Sequence, residues 1–430
     1  MQAIQLEEWM SMDGEFFSYL ARNELEDDHI GIFKLFLPEH DRWRNLCLYL
    51  HSTFYDTLRV ISGAYSFPLL ETLRIYWECG ASSQDDHTNG LLHRIMKNSP
   101  LLRNLELFNF YDRFARVVPF EHHQVTSLCI TAFCENEPGA VDIFRLFIHL
   151  EHLEINLDRI PSSLPTLSDP NDNVPCPQCH SSTLKTLVII VQSMRSANRV
   201  IPSLVLPSLR SLELFFDYRE TQDSEPNNEF SMQNLKNMLR HSPHIESFKL
   251  HNRMVIPSRD VSDMLAHVPS LTHLAIEADS LFFDDNFFLD MTLTPPSPAH
   301  LSPDEDIDTQ ELLPRLKSLD LTIRFLTYNT SGRDAPDPMF IINMIESRRN
   351  IHQRQDDTSV GSDQTKSEQS RIPTTLNELS HFRITAPIED SSLPEDEKYG
   401  WHMNLNRLLQ ERLRAHVDRG LSFTQDLGPF

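Results

Sequence analysis

Leu206 to Phe216 reads LPSLRSLELFF: a proline turn, then Leu209, Leu212 and Leu214 at the spacing L-x-x-L-x-L. In the L-x-L portion a strand's period of two sends Leu212 and Leu214 to one face and Glu213 to the other. One such strand cannot bury its apolar face alone. The spacing returns throughout the chain, as Trp43/Leu46/Leu48, Leu70/Leu73/Ile75, Leu102/Leu105/Leu107, Val125/Leu128/Ile130, Leu150/Leu153/Ile155 and Leu184/Leu187/Ile189. Beyond the quoted copy come Ile245/Phe248/Leu250, Leu271/Leu274/Ile276, Leu316/Leu319/Leu321 and Leu379/Phe382/Ile384. Most steps between copies fall near the leucine-rich-repeat period of roughly 20 to 29 residues, and the longer ones carry insertions.

Stacking these strands predicts an irregular α/β leucine-rich-repeat solenoid, with a parallel β-sheet on its concave face and helices on its convex face. The helices are legible too. Leu91, Leu92, Ile95 and Met96 keep helical spacing up to Ser99-Pro100, as do Phe230, Leu235, Met238 and Leu239 up to Ser242-Pro243. Val261, Met264 and Leu265 precede Val268-Pro269 in the same way. Proline stops each helix and sets the turn into the next strand. Three domains are expected: an N-terminal helical cap over residues 1–40, the solenoid over 41–390, and a C-terminal helical cap and tail over 391–430 built on Leu405, Leu408, Leu409 and Leu413. Inserts at 161–182, 294–310 and 352–370 are rich in Pro, Ser, Asp and Gln and read as mobile loops.

Composition narrows function. Of 430 residues, 62 are acidic and 38 are Lys or Arg, a formal charge of -24 that repels nucleic acid and anionic lipid. Neither is an expected partner. No run of about 18 apolar residues is present to span a bilayer, and Met1 is not followed by a basic segment and an apolar run. The expectation is a soluble protein of the cytoplasm or nucleus. Six cysteines are too sparse for a disulfide scaffold, and none of the 11 glycines forms the G-x-G that phosphate-cradling loops use.

The phrases SPLLRNLEL, LPSLRSLEL, VPSLTHLAI and LLPRLKSLDL, with HDRWRNLCLYL at 40–50 and FIINMIESRR at 340–349, carry a resemblance. Over roughly residues 35–420 the chain resembles the leucine-rich-repeat region of fungal F-box proteins. In that family an F-box recruits the adaptor of a cullin (SCF) ubiquitin ligase, and the repeats bind the protein to be ubiquitinated. The resemblance implies a substrate-recognition role, with a scaffold lacking any ligase link as the alternative. The F-box itself is not evident: Leu37-Pro38-Glu39 opens like one but leads straight into Trp43-x-x-Leu46-x-Leu48. The asparagine ladder of regular repeats is missing too, Glu78, Phe110, Phe133, Asp158, Asp217 and Asp279 standing in its place.

Catalytic motifs are lacking: H-E-x-x-H, G-x-S-x-G and the P-loop pattern do not occur, so no enzyme, cofactor or catalytic residue is expected. Cys176-Pro-Gln-Cys179-His180 matches half of a zinc site or a haem-attachment motif, but no second C-x-x-C accompanies it, and an incidental loop is the simpler reading. No metal is expected. Thr294-Pro295, Ser297-Pro298 and Ser302-Pro303 could accept proline-directed phosphorylation, or serve as plain spacer.

The positions between the leucines are where a partner could bind. Tyr49, Tyr76 and Phe108 occupy equivalent places in successive strands about 4.8 Å apart, with Arg74 and Glu106 in the adjoining column. They form either a binding ridge or extra core. Glu154, Glu213, Phe215, Lys249, Glu277 and Asp320 continue the same face with mostly acidic character, which suits a basic protein partner.

Overall fold

A computed structural model describes residues 37–50, 66–77, 94–108, 123–130, 139–157, 178–216, 230–252, 256–293, 312–324, 336–349, 378–386 and 395–426. The expected helical cap before residue 37, the Thr-Pro and Ser-Pro sites, and the inserts at 294–310 and 352–370 lie outside these residues. The chain divides into two compact units, one of Met1–Ile130 with Arg145–His149, the other of Thr131–Phe144 with Leu150–Phe430.

The first unit holds four parallel strands, β1 (Asn45–Leu50), β2 (Thr72–Trp77), β3 (Asn104–Phe108) and β4 (Ser127–Ile130). The leucine register runs straight across them, Leu46 facing Leu73, Leu73 facing Leu105 and Leu105 facing Leu128. All of these side chains are buried, and the residues between them are half-exposed or open, so the period of two alone separates core from surface. Before β1, a 3-10 turn (Leu37–Arg42) brings His40 and Trp43 against fully buried Phe67, Trp43 stacking at 6.0 Å.

In the second unit eight parallel strands follow in order: β5 (His152–Leu157), β7 (Thr186–Val191), β9 (Ser211–Phe216), β10 (Ser247–Asn252), β11 (His273–Asp279), β12 (Ser318–Arg324), β13 (His381–Thr385) and β14 (Ser422–Asp426). A separate two-residue pair, β6 (Cys179–His180) with β8 (Leu204–Val205), lies beside them. The crossovers carry helices α1 (Gly139–Leu146), α2 (Met194–Val200), α3 (Met232–Arg240), α4 (Ser258–Leu265), α5 (Asp285–Met291), α6 (Pro338–Arg349) and α7 (Glu395–Val417). Helices α3 to α7 pack each against the next. The result is an α/β repeat fold of the leucine-rich-repeat kind.

All eleven sequence triplets place their last two residues in these strands. The twelfth strand, β14, was not expected. Its register with β13 sets Phe423 against Phe382 but Gln425 against Ile384, and the leading position belongs to Gly420, so only one of three template positions is apolar. Helix α7 therefore crosses from β13 to β14 and is not the last element, as a terminal cap would be. Residues 178–182, assigned to a mobile insert, are part of a coil: Cys179 is buried and Ser181 Oγ accepts from Leu184 N at 3.3 Å. Residues 161–177 lie outside the described residues.

Five strands are entered the same way. In Phe67-Pro68, Ser99-Pro100, Leu206-Pro207, Val268-Pro269 and Leu313-Pro314 the carbonyl before proline accepts from the N–H three residues on, at 3.0–3.2 Å. This is a β-turn with proline at its second position. Ser99 and Ser242, both fully buried, donate their hydroxyls to the carbonyls of Ile95 and Met238 four residues back, closing the preceding helical turn. At the next step one carbonyl takes two N–H donors from the following coil. Arg44, Glu71, Arg103, Glu151, Lys185, Arg210, Glu246, Thr272 and Lys317 all act so, at 2.7–3.0 Å.

Two buried arginines end α6. Arg348 donates from Nε to Met291 O (2.8 Å), from Nη1 to Leu313 O (3.0 Å) and from Nη2 to Leu312 O (2.8 Å). Leu313 has a φ of 53°, in the left-handed region that costs an L-residue energy, and the Arg348 bond holds its carbonyl there. Arg349 donates to the carbonyls of Leu379, His416 and Arg419 and pairs with Glu378 at 3.0 Å. These two side chains fasten α5, α6, the turn into β12, the lead into β13 and the end of α7.

Replacing Arg348 with Met removes three charge-assisted bonds to main chain and is expected to lower unfolding free energy by about 3 kcal/mol in urea melts. Arg42→Ala, at an exposed pair with Glu39, is expected to stay within about 0.5 kcal/mol. A pH signature belongs to the same region. Burial first, then the neighbouring Arg419, holds His416 below its ordinary 6.5, and its Nδ1 accepts from Arg419 Nη2 at 2.9 Å, which requires an unprotonated nitrogen. The unfolded chain binds that proton more readily, so stability is full above about 6.5 and declines as pH falls from there to the lowered folded value. His416→Gln is expected to flatten this limb in melts taken across that range.

Candidate recognition surface

The residues between the leucines form two outward columns on each strand. In the first unit one column runs Cys47, Arg74, Glu106, Cys129, and the other brings Tyr49, Tyr76 and Phe108 into register. Tyr76 and Phe108 stack with centroids 4.2 Å apart and planes 6° from parallel, both half-buried. The predicted ridge is thus formed for two of its three rings, and the Tyr49 side chain lies outside the described residues. Arg74 Nε meets Glu106 Oε2 at 2.8 Å. Burial is the main cause that pushes the Tyr76 phenol up, with the Cys47 thiol adding to it and Arg74 opposing.

The second unit carries a denser arrangement. Phe215 stacks on His251 at 3.9 Å, the planes 12° apart. The imidazole sits between two carboxylates, Nδ1 2.9 Å from Glu277 Oε2 and Nε2 3.5 Å from Glu213 Oε1. Lys249 approaches Glu213 at 3.5 Å, and Arg324 pairs with Glu277. One coil further, His381 lies 3.4 Å from Asp320. Strands β9 to β12 are tied across their open face by this lattice, which supplements the main-chain ladder.

The sequence places Glu213, Phe215, Lys249, Glu277 and Asp320 on this face, and they stand there. Its acidic row is, however, largely matched by cations from the same face. Arg324 and Lys249 supply them, the His251 and His381 rings also lie against these carboxylates, and Val188 and Ile190 add an apolar strip on β7; of these, His251, Arg324, His381, Val188 and Ile190 were not singled out. The signal was available, because each occupies an alternate position in its own strand, as in SFKLHN where Lys249 and His251 flank Leu250. Glu154, half-buried like Glu213, Glu277 and Asp320, differs from them in having no ion partner among the described residues.

The half zinc motif does not assemble on the described residues. Cys176 lies outside them. Cys179 points inward, its Sγ 3.7 Å from Ser203 Oγ, while His180, the next residue of the same strand, is exposed on the other face. Neighbours in a strand cannot converge on one ion. Among the described residues no group of three or more His, Cys, Asp or Glu could hold a metal, and no helix is long and apolar enough to cross a membrane.

Comparison with known proteins adds little. No family model matches the chain, and no curated protein matches it. Among solved structures it is similar to a chain in the crystal structure of a TLR13–ssRNA13 complex, with 9% identity and a TM-score of 0.25, over 75% of this chain and 44% of that one. The chain thus matches less than half of that protein's length, and so loose a superposition carries no argument about function.

The Glu213 carboxyl is held below its ordinary 4.5 chiefly by its bond to His251, burial acting against this and Lys249 assisting. Its contribution to stability is present above about 4.5 and is lost as pH falls through the lowered folded value. Removing the first cause with His251→Ala is expected to raise the Glu213 pKa in carboxyl-detected NMR titrations, moving the acid loss of stability to higher pH.

Proposed function

We propose that this chain is a non-catalytic protein-recognition module that binds another protein on the outward columns of its strands. The observation that carries the proposal is the pair of aromatic stacks, Tyr76 with Phe108 and Phe215 with His251, each half-buried beside a charged pair on a rigid parallel sheet. Aromatic side chains and arginine are the usual anchors of binding hot spots, since they add large contact area with little ordering entropy. A sheet held by main-chain bonds presents them pre-organised, which lowers the cost of binding.

The finer reading is the substrate-binding part of an F-box-type ubiquitin-ligase receptor. It is supported by the repeat phrases SPLLRNLEL, LPSLRSLEL and LLPRLKSLDL and by FIINMIESRR. A scaffold without a ligase link is the competing reading, favoured by the absence of an evident F-box. In both the formal charge of -24 suits a basic partner through long-range attraction.

Affinity purification with the full chain separates the two. Recovery of a cullin-ligase adaptor in stoichiometric amount supports the receptor, and its absence while another protein is retained supports the scaffold. Against that retained protein, Tyr76→Ala combined with Phe108→Ala is expected to weaken binding by about 2 kcal/mol or more, with an unchanged melting temperature. A collapse of the melting transition instead would assign both rings to the core.

A further inference from the structure

Among the described residues, three carboxylates on the second unit's open face lie against basic side chains. Glu213 meets Lys249 and His251, Glu277 meets His251 and Arg324, and Asp320 meets His381. Glu154 on β5 is half-buried and meets no cation among the described residues. A carboxylate stripped of part of its water gains from a cation more than an exposed one does.

Its surroundings are apolar on one side. Register sets Glu154 opposite Val188 and Asn156 opposite Ile190, while Val188 in turn faces Glu213 and Ile190 faces Phe215. Val188 retains 9% of its surface and Ile190 is half-buried, so the strip between Glu154 and Phe215 is aliphatic. Asn156 Oδ1 is buried with no hydrogen-bond partner. The Asn156 side chain as a whole is half-exposed, so its amide can turn to offer that acceptor outward.

We propose that Glu154, Val188 and Ile190 form a subsite for an arginine or lysine side chain of the bound protein. The cationic head meets Glu154 and the aliphatic stem lies over Val188 and Ile190. The inference rests on the reading of this face as a protein-recognition surface and adds the chemistry of what enters it. Long basic side chains join an apolar stem to a charged head, which matches an aliphatic strip ending in a carboxylate. Diagonal neighbours on adjacent strands lie about 7–8 Å apart, within reach of such a side chain. Arginine fits better than lysine, because its planar fork of five donors serves both Glu154 and Asn156.

The test is a selection of random peptides displayed on phage against the immobilised full chain, followed by affinity measurement on synthetic copies. Selected peptides are expected to be enriched in arginine, and Glu154→Gln, which keeps the side-chain shape, is expected to weaken them about tenfold. Glu154→Lys paired with an arginine-to-glutamate change in the peptide is expected to restore much of the loss. Peptides without basic residues, or basic ones indifferent to Glu154→Gln and lost with Tyr76→Ala and Phe108→Ala, overturn the subsite and leave the recognition surface standing. If no peptide outlasts the bare support, the recognition reading falls, and the subsite with it.

Discussion

One carbonyl accepting two N–H groups from the next coil recurs at nine strand entries among the described residues, and the rest of the structure depends on it. The acceptor stands immediately before its strand, so both bonds form where the chain enters the sheet. Regular repeats satisfy buried backbone groups with an asparagine ladder; here most of that task falls to the main chain itself, which any side chain can serve. Arg44, Glu71, Lys185, Arg210 and Glu246 occupy acceptor positions without strain because their side chains remain in solvent and pair along the edge, Arg44 with Glu71, Lys185 with Glu151 and Arg210 with Glu246. These exposed pairs add little energy. The backbone bonds set the spacing and register.

Where the coils become longest, side chains take over. The steps to β12 and β13 carry the largest insertions, and there Arg348 and Arg349 reach six main-chain carbonyls outside α7 or at its end, with Leu313 in a left-handed conformation beneath them. Asn252 does a similar task after β10, its amide bonding Ile256 through both oxygen and nitrogen. Buried polar groups are tolerable when hydrogen-bonded, and these replace a periodic ladder with single fastenings at points where the period fails.

That division of labour leaves the outward columns unconstrained by folding. Tyr76, Phe108, Phe215, His251 and Glu154 stand between the leucine positions, on the outward columns and outside the leucine core. The lattice of Glu213, Lys249, His251, Glu277 and Arg324 stiffens β9 to β12, while the β5 to β7 portion stays apolar with one unmatched carboxylate. The ion-paired face of β9 to β12 thus stands beside a patch that keeps a carboxylate and aliphatic surface.

By itself the sequence determined the strands, their order and their faces, since a period of two and the triplet L-x-x-L-x-L are local properties that repeat whatever lies between them. Eleven strands were legible for that reason, and β14 was not, because Phe423 alone fits the template. Only the tertiary structure decided which charges cancel. Lys249 lies 36 residues from Glu213 and Arg324 lies 47 from Glu277 in the chain. Pairing at such separations depends on the register of stacked strands, which no single coil encodes. The same holds for Arg348: its partners belong to other coils, and only folding brings their carbonyls to it.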